Sequence, residues 1–321
     1  MTTGTARPRF DPELRASLAI VGGMFPPTIT PDLIGFMRTT YASGRLEDDF
    51  EEAGITRTDH ECAGHGGGGI RLSLLRPRGD DRDLPVLLYI HSGGLMFGDR
   101  FSGIETAIEW IRTIGVAVLT VEYRLAPEHP DPYAREDVYA ALRWIALHAG
   151  RNRLRRDRVL VMGASAGGGL AAGLALAARD RGGPAIIGQV LDYPMLDDRG
   201  ATGSTAQFDG VGVWDRVSNE TGWTASLGAG RGGPDVSPYA APSRAADLSA
   251  LPPAFIDVGA AEIFRDEAID YAERIWAAGG DAELHVWSGG FHAFDIFAPH
   301  TRLARGMIQA RSDWVGAVLA D

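Results

Sequence analysis

The sequence contains no lysine, so all 31 of its basic residues are arginine. Without lysine, its side chains cannot form a Schiff base, bind phosphate as a phosphate-loop lysine does, or pair a serine nucleophile with a lysine base. The sequence also has a single cysteine, Cys62, and therefore cannot form a disulfide within the chain. A lone cysteine fits a reducing compartment, and the composition predicts a cytoplasmic protein.

Positive charge and long apolar runs are also scarce. The 42 acidic residues outnumber the basic ones and give a formal net charge of -11, which argues against nucleic acid or anionic lipid as a partner. No run approaches the roughly 20 apolar residues that a membrane helix needs. The apolar stretch 17–25 does not fit a signal peptide, because Asp11 and Glu13 interrupt the basic region before it and no small-residue cleavage pattern follows.

The part of the chain after residue 55 alternates between short apolar runs and helical patterns. Runs of this kind are typical of strands buried on both faces of a parallel sheet, and their alternation with helices predicts a mostly parallel, doubly wound α/β fold. Two earlier runs, 55–62 and 70–76, flank a glycine-rich stretch and predict an antiparallel hairpin. The predicted later strands are 86–91, 116–123, 159–162, 186–193, 254–258 and 282–287. The predicted helices are 104–114, 134–149, 168–181, 266–278 and 302–319.

Two segments do not follow this alternation. Residues 1–50 precede it, and residues 199–240 interrupt it with a stretch rich in Gly, Ser and Thr that also holds three large aromatic residues, Phe208, Trp214 and Trp223. We expect the two segments to pack together as a helical cap over the carboxyl edge of the sheet, where α/β proteins bind ligands. The predicted core then consists of residues 51–198 and 241–321.

The pentapeptide Gly163-Ala164-Ser165-Ala166-Gly167 lies directly between a predicted strand and an alanine-rich predicted helix. In that context G-x-S-x-G forms a sharp turn that projects the serine hydroxyl, while the following helix N-terminus stabilises developing negative charge. Ser165 is therefore the candidate nucleophile of a hydrolase.

A serine hydroxyl is a weak nucleophile and needs a base, which an acid must orient. His292 follows the last predicted strand on a glycine-rich loop, which makes it the candidate base. The acid is expected after the strand 254–258, where Glu262 and Asp266 are the alternatives. We favour Glu262, because Asp266 occupies a position typical of a helix N-cap.

The segment His91-Ser92-Gly93-Gly94 ends a predicted strand, where a loop that stabilises an oxyanion would lie. The backbone N–H groups of Gly93, Gly94 and Ala166 are the candidate donors, and each such donor contributes on the order of 10²–10³ in turnover. The aromatic residues of the cap, together with Met96 and Phe97 of this loop, predict an apolar substrate pocket of limited size.

These residues resemble the bacterial hormone-sensitive-lipase-like esterases of the α/β-hydrolase fold. The family's H-G-G-G loop is similar to 91–94, its G-D-S-A-G-G elbow to 163–168, and its Y-R-L-A-P-E-H-P segment is identical to 123–130. The resemblance implies hydrolysis of short acyl esters without cofactor or metal, and often a homodimer. Three residues differ from the family pattern: Ser92 replaces a glycine, Ala164 an aspartate and Glu262 the usual aspartate. Glutamate is an accepted acid in such triads.

Other functions fit parts of the sequence. The stretch 167–172 matches the dinucleotide pattern G-x-G-x-x-A, but a nucleotide site would leave Glu262 and His292 unexplained. His60, Cys62 and His65 would make an incomplete zinc site. A lactone or an N-acetyl amide is an alternative substrate, and a ligand-binding protein without catalysis is an alternative function.

Overall fold

The structure, a computed structural model, describes residues 6–44 and 47–320. Its strands are β1 (Ile55–Ala63), β2 (Gly69–Pro77), β3 (Leu84–Ile90), β4 (Ala117–Val121), β5 (Leu154–Ala164), β6 (Gly188–Asp192), β7 (Ala254–Gly259) and β8 (Ala282–Trp287). Its helices are α1 (Pro12–Val21), α2 (Ile34–Thr40), α3 (Glu47–Glu52), α4 (Glu105–Thr113), α5 (Tyr133–His148), α6 (Ala166–Asp180), α7 (Gly203–Gln207), α8 (Arg216–Leu227), α9 (Arg265–Ala277), α10 (Phe294–Phe297) and α11 (Arg302–Ala320).

Within these residues the eight strands form one sheet in the order β1-β2-β4-β3-β5-β6-β7-β8. The hairpin of β1 and β2 and the pair β2 and β4 are antiparallel, and every later pair is parallel. All residues of β4, β6 and β7 are buried, because helices cover both faces of the sheet. The predicted mostly parallel, doubly wound α/β sheet is confirmed.

The side chains of β3 show how the two faces are filled. Val86, Leu88 and Ile90 belong to the apolar cluster on the face covered by α5 and α6. Leu87 and Tyr89 point to the other face and pack in a second cluster with residues of α4 and α11. Since adjacent strand residues point to opposite faces, a run of consecutive apolar residues fills both cores.

The N-terminal segment and the segment that carries α7 and α8, which we assign to the cap, contact each other. The Thr28 hydroxyl donates to the carboxylate of Asp215 at 2.7 Å, and the Ile29 N–H donates to the Ser218 hydroxyl at 2.8 Å. Asp215 also caps α8 by accepting a hydrogen bond from the Ser218 N–H. The start of α8 therefore holds the N-terminal segment in place. In the described ranges no helix is both long and apolar enough to cross a membrane.

A buried arginine joins three elements at the carboxyl end of the sheet. Arg311 of α11 forms ion pairs with Asp192 at the end of β6, with Asp257 of β7 and with Asp295 of α10, at 2.9, 3.0 and 3.0 Å. All four residues are at most 5% exposed. An arginine can bind several carboxylates at once because its guanidinium carries five N–H donors in a fixed plane.

The cluster has more acidic than basic groups, and this imbalance affects protonation. Burial disfavours the charged form of a carboxyl group, although the nearby arginine partly opposes the effect. Burial raises the pKa of Asp192 well above its usual range and the pKa of Asp257 to about 7. The folded protein therefore holds a proton in this cluster at pH values where the unfolded chain releases it.

This proton makes the stability depend on pH. Between about pH 4 and pH 7 the folded chain binds more protons at Asp257 than the unfolded chain, so this residue makes the free energy of unfolding fall as the pH rises. We predict that Asp257→Asn makes the measured decline shallower, because only the contribution of Asp192 then remains; thermal unfolding between about pH 5 and pH 8 would measure it. Asp313→Asn, on the exposed side of α11, is the control and should retain the wild-type slope. Equal slopes in the wild type and Asp257→Asn would contradict the prediction.

Candidate active site

Ser165 occupies a strained turn between β5 and α6. Its backbone lies at φ 56° and ψ -118°, a region that residues other than glycine rarely adopt. The neighbouring glycines permit this turn, because a Cβ at Gly163 would collide with the Gly167 carbonyl and a Cβ at Gly167 with the Ile90 carbonyl. The turn itself is held by a 2.8 Å hydrogen bond from the Ser165 N–H to the Asp192 carbonyl.

The structure brings the three predicted catalytic residues into one chain of hydrogen bonds. The Ser165 Oγ lies 3.0 Å from His292 Nε2, and His292 Nδ1 lies 2.7 Å from Glu262 Oε2. All three side chains are buried. An imidazole between a hydroxyl and a carboxylate can accept the hydroxyl proton on one nitrogen while the carboxylate stabilises the resulting cation.

Surrounding residues hold both Glu262 and the His292 ring in place. The second carboxylate oxygen of Glu262 accepts a 3.1 Å hydrogen bond from the Gly259 N–H, at the end of β7. The rings of Tyr193 and Phe264 contact the His292 imidazole edge to face, with centroids 4.9 and 5.1 Å away. The imidazole is therefore confined in both position and ring orientation.

Asp266, the alternative acid, has other partners. Its carboxylate accepts hydrogen bonds from the Ser204 N–H at 2.6 Å and from the Arg265 side chain at 2.7 Å. The expectation that Asp266 is a helix N-cap is wrong, since α9 begins at Arg265 and Phe264 is its N-cap. Instead, Asp266 joins the start of α9 to the cap helix α7.

The predicted oxyanion loop lies beside Ser165. Gly93 and Gly94 have φ values of 123° and 60° and line the same pocket as Ser165 and His292. Ala166 is the first residue of α6. Within the described part of the chain, none of these three backbone N–H groups donates to another residue. They are thus available to a bound ligand.

The pocket around Ser165 is small and has mostly apolar walls. Of the five predicted pocket residues, Phe97 and Trp214 line it, whereas Met96, Phe208 and Trp223 do not. These three side chains are buried in the apolar core instead. The complete lining consists of Phe25, Ile29, Met37, Tyr41, Ser92, Gly93, Gly94, Phe97, Ser165, Val213, Trp214, His292, Ala293 and Phe297.

The pocket residues that sequence reasoning missed come mainly from the N-terminal segment. Phe25, Ile29, Met37 and Tyr41 all lie there, in the segment predicted to form part of the cap. A cap residue can point toward the substrate or toward the core, and the sequence shows no periodic pattern that distinguishes the two. Phe297 was missed too, although it lies only five residues after His292.

The residues considered for a nucleotide or a metal have structural surroundings. Gly167 and Gly168 lie inside the sequence that matches the dinucleotide pattern, and both pack closely, against the Ile90 carbonyl and against Pro194. The His60 ring packs against the Trp144 ring at a tilt of 44°, with centroids 4.6 Å apart. Over residues 6–44 and 47–320, no group of three or more His, Cys, Asp or Glu side chains is arranged to hold a metal ion.

A parallel sheet with a serine on a strained strand-to-helix turn at its carboxyl end defines the α/β-hydrolase class of proteins. Residues 87–296 match a protein family described as alpha/beta hydrolase fold. With the loop 91–94 and the elbow 163–168, the chain belongs to the hormone-sensitive-lipase-like esterases of that fold.

Known proteins support this assignment. The chain is 33% identical to carboxylesterase NlhH of Mycobacterium tuberculosis over 91% of each chain. It is 39% identical to esterase LipI of the same organism, over 64% of each chain. The solved structure of a bacterial heroin esterase superposes with a TM-score of 0.89 at 35% identity, covering 97% of this chain and 98% of that one. This protein is accordingly an ester-hydrolysing enzyme.

The two acidic candidates can be separated by isosteric substitutions. Glu262→Gln keeps the side-chain shape but removes the charge that stabilises the imidazolium, so we predict a loss in kcat on the order of 10⁴, as for the same kind of change in a serine-protease triad. Asp266→Asn keeps one acceptor for the Ser204 N–H and should retain most of the activity. Steady-state kinetics of both variants would measure the effect. A severe loss in Asp266→Asn, with Glu262→Gln near the wild type, would contradict the assignment.

Proposed function

We propose that this protein is a serine carboxylesterase that hydrolyses short-chain acyl esters through an acyl-enzyme on Ser165. The observation that carries the proposal is the hydrogen-bond chain from Ser165 through His292 to Glu262 at the wall of a small apolar pocket. Such a chain activates a serine, and such a pocket holds the apolar part of an ester.

The acylation step uses each of these groups. The Ser165 Oγ attacks the ester carbonyl carbon while its proton moves to His292 Nε2, and the carbonyl electron pair moves onto the oxygen. The backbone N–H groups of Gly93, Gly94 and Ala166 stabilise this oxyanion. His292 then donates the proton to the alcohol oxygen as the carbon–oxygen bond breaks, and the alcohol leaves.

Deacylation repeats the sequence with water. The water oxygen attacks the acyl carbon while His292 Nε2 accepts a proton from the water. His292 then returns this proton to the Ser165 Oγ as the bond between Oγ and the acyl carbon breaks and the carboxylic acid departs. Throughout, Glu262 keeps the Nδ1 hydrogen directed toward itself and stabilises the imidazolium. Its own position depends on the hydrogen bond from the Gly259 N–H.

The geometry also supports a limit on the acyl group. His292 must protonate the alcohol oxygen, so the alcohol lies toward His292 and the acyl chain lies toward the other side of Ser165. The Trp214 indole lines the pocket and packs so closely on Gly94 that a Cβ at Gly94 would collide with it. Trp214 is 5% exposed and also contacts the Phe97 ring. We place the acyl chain against this aromatic wall, which would limit the length of the chain that the pocket accepts.

The acyl-enzyme can be detected directly. Incubation with a fluorophosphonate should attach one phosphonyl group to Ser165, because this nucleophile is activated and lines the pocket. Peptide mass spectrometry would locate the adduct, and Ser165→Ala should abolish both labelling and hydrolysis of p-nitrophenyl butyrate. Labelling at another residue, or active protein without any label, would refute the proposed nucleophile.

The acyl limit gives a second prediction. The wild type should favour p-nitrophenyl acetate and butyrate over the octanoate by at least about tenfold in kcat/KM, since unfavourable packing of a few methylene groups has this magnitude. Trp214→Leu should shift the preference toward octanoate by opening the wall. The matched control is Trp223→Leu, which changes a buried cap tryptophan outside the pocket and should keep the wild-type ratio. An unchanged ratio in Trp214→Leu would contradict the role of this wall.

A further inference from the structure

The oxyanion loop has an unusual backbone. Three consecutive residues, Gly93, Gly94 and Leu95, have φ values of 123°, 60° and 66°. Glycine adopts such values readily, whereas a leucine in this region costs about 1 kcal/mol or more and persists only where its surroundings hold it. The contacts that hold this loop therefore determine whether its N–H groups are in place.

The N-terminal cap contacts the beginning of the loop. The Tyr41 hydroxyl, one residue after α2, lies 2.7 Å from the Ser92 hydroxyl. The Tyr41 ring also contacts the Phe97 ring edge to face, with centroids 5.3 Å apart. Burial raises the pKa of Tyr41 to about 12, so its hydroxyl keeps its proton at neutral pH. The glycine that the family has at position 92 could not form this hydrogen bond.

The same cap segment also contacts the end of the loop. The Arg38 Nε donates a 2.9 Å hydrogen bond to the Met96 carbonyl. Its guanidinium also donates to the Ala126 carbonyl at 3.0 Å and pairs with Glu128 at 2.6 Å. The Ala126 N–H in turn donates to the Leu95 carbonyl at 2.9 Å. Arg38 therefore binds both the loop, at Met96, and the neighbouring segment around Ala126, which is itself hydrogen-bonded to the loop.

We propose that Tyr41 and Arg38 are positioning residues for the oxyanion loop, which adopts its strained, productive conformation only while the N-terminal cap segment is docked on it. The inference rests on the proposed function, since it assigns a role within that acyl transfer. Neither side chain has to touch the reacting atoms. Each acts through the backbone that carries the N–H groups of Gly93 and Gly94.

This role affects the transition state more than the bound substrate. An oxyanion forms only after attack by Ser165, so a displaced donor weakens an interaction that the ester itself hardly makes. Loss of the positioning contact should therefore lower kcat while KM stays close to the wild-type value. A change confined to pocket shape would instead alter KM.

The hydroxyl pair is suited to a double-substitution experiment. Tyr41→Phe and Ser92→Ala should each lower kcat for p-nitrophenyl butyrate by about three- to tenfold, the range expected for one hydrogen bond. The double variant should be no worse than the poorer single variant, because both substitutions remove the same hydrogen bond. Tyr239→Phe is the control, since its hydroxyl bonds to Asp180 at a site outside the pocket.

Arg38 offers a second comparison in the same assay. Arg38→Met keeps an unbranched side chain but removes the donor to the Met96 carbonyl, and should lower kcat, again with little change in KM. Glu128→Gln removes the charge of the partner but leaves the arginine donor to Met96, so it should have the smaller effect. If Glu128→Gln lowers kcat as much as Arg38→Met, the ion pair rather than the loop contact is responsible, and the role of Arg38 is refuted.

A trifluoromethyl ketone provides a test that does not depend on turnover. The Ser165 Oγ adds to its carbonyl carbon, the proton passes to His292 and the carbonyl electron pair forms an oxyanion on the loop. Tyr41→Phe and Ser92→Ala should weaken inhibition by this ketone about three- to tenfold, while inhibition by the corresponding alcohol, which forms no oxyanion, stays unchanged. Equal weakening of both compounds would show a general pocket defect and overturn the proposal.

The outcomes separate this inference from the function on which it rests. An active wild type whose Tyr41→Phe and Ser92→Ala variants retain the wild-type kcat would overturn the inference alone. Additive losses in the double variant would also overturn it, because the two hydroxyls would then act independently. A wild type that hydrolyses none of the p-nitrophenyl esters would overturn the proposed function and, with it, the inference.

Discussion

The buried ion cluster around Arg311 sets the spacing of the elements on which the active site is built. One of its carboxylates ends β6, whose last carbonyl accepts the Ser165 N–H. A second lies on β7, and the N–H at the end of that strand binds Glu262. The third lies on α10, three residues beyond His292. A single cation thus fixes three elements that each hold one member of the hydrogen-bond chain.

Burying this cluster carries a cost that hydrophobic side chains of similar size would avoid. Buried ion pairs often contribute little net stability, because desolvation offsets the attraction, but removing one partner leaves an uncompensated charge. In this fold the cluster gains directionality from the hydrogen bonds of Arg311 to Asp257 and Asp295, since guanidinium and carboxylate planes must align to bond. An apolar core would allow β6, β7 and α10 to shift by fractions of an ångström, which a triad tolerates poorly.

The sequence predicted those parts of the site that depend on local patterns. Ser165 follows from glycine spacing between a strand and a helix, while Glu262 and His292 follow from their positions after particular strands. The pocket walls do not follow in this way, since Trp214 and Trp223 look equivalent in the sequence and only tertiary packing turns one toward the substrate. The role of Arg311 could not be predicted from the sequence either, because its aspartate partners lie on distant elements and no local motif joins them.

Backbone strain is concentrated around the pocket, and this explains why the site needs support from two sides. Among the described residues, six that are not glycine have positive φ. Four of them lie at the site, namely Leu95 in the oxyanion loop, Ser165, Tyr193 against the His292 ring, and Ala293 directly after His292. Such conformations persist only where neighbouring contacts over-determine them. The Arg311 cluster supplies these contacts at Tyr193 and Ala293, because Asp192 directly precedes Tyr193 and Asp295 lies two residues after Ala293. The cap supplies them on either side of the strained stretch 93–95, where Tyr41 contacts Ser92 and Arg38 binds the Met96 carbonyl. Core and cap together therefore hold the reactive geometry.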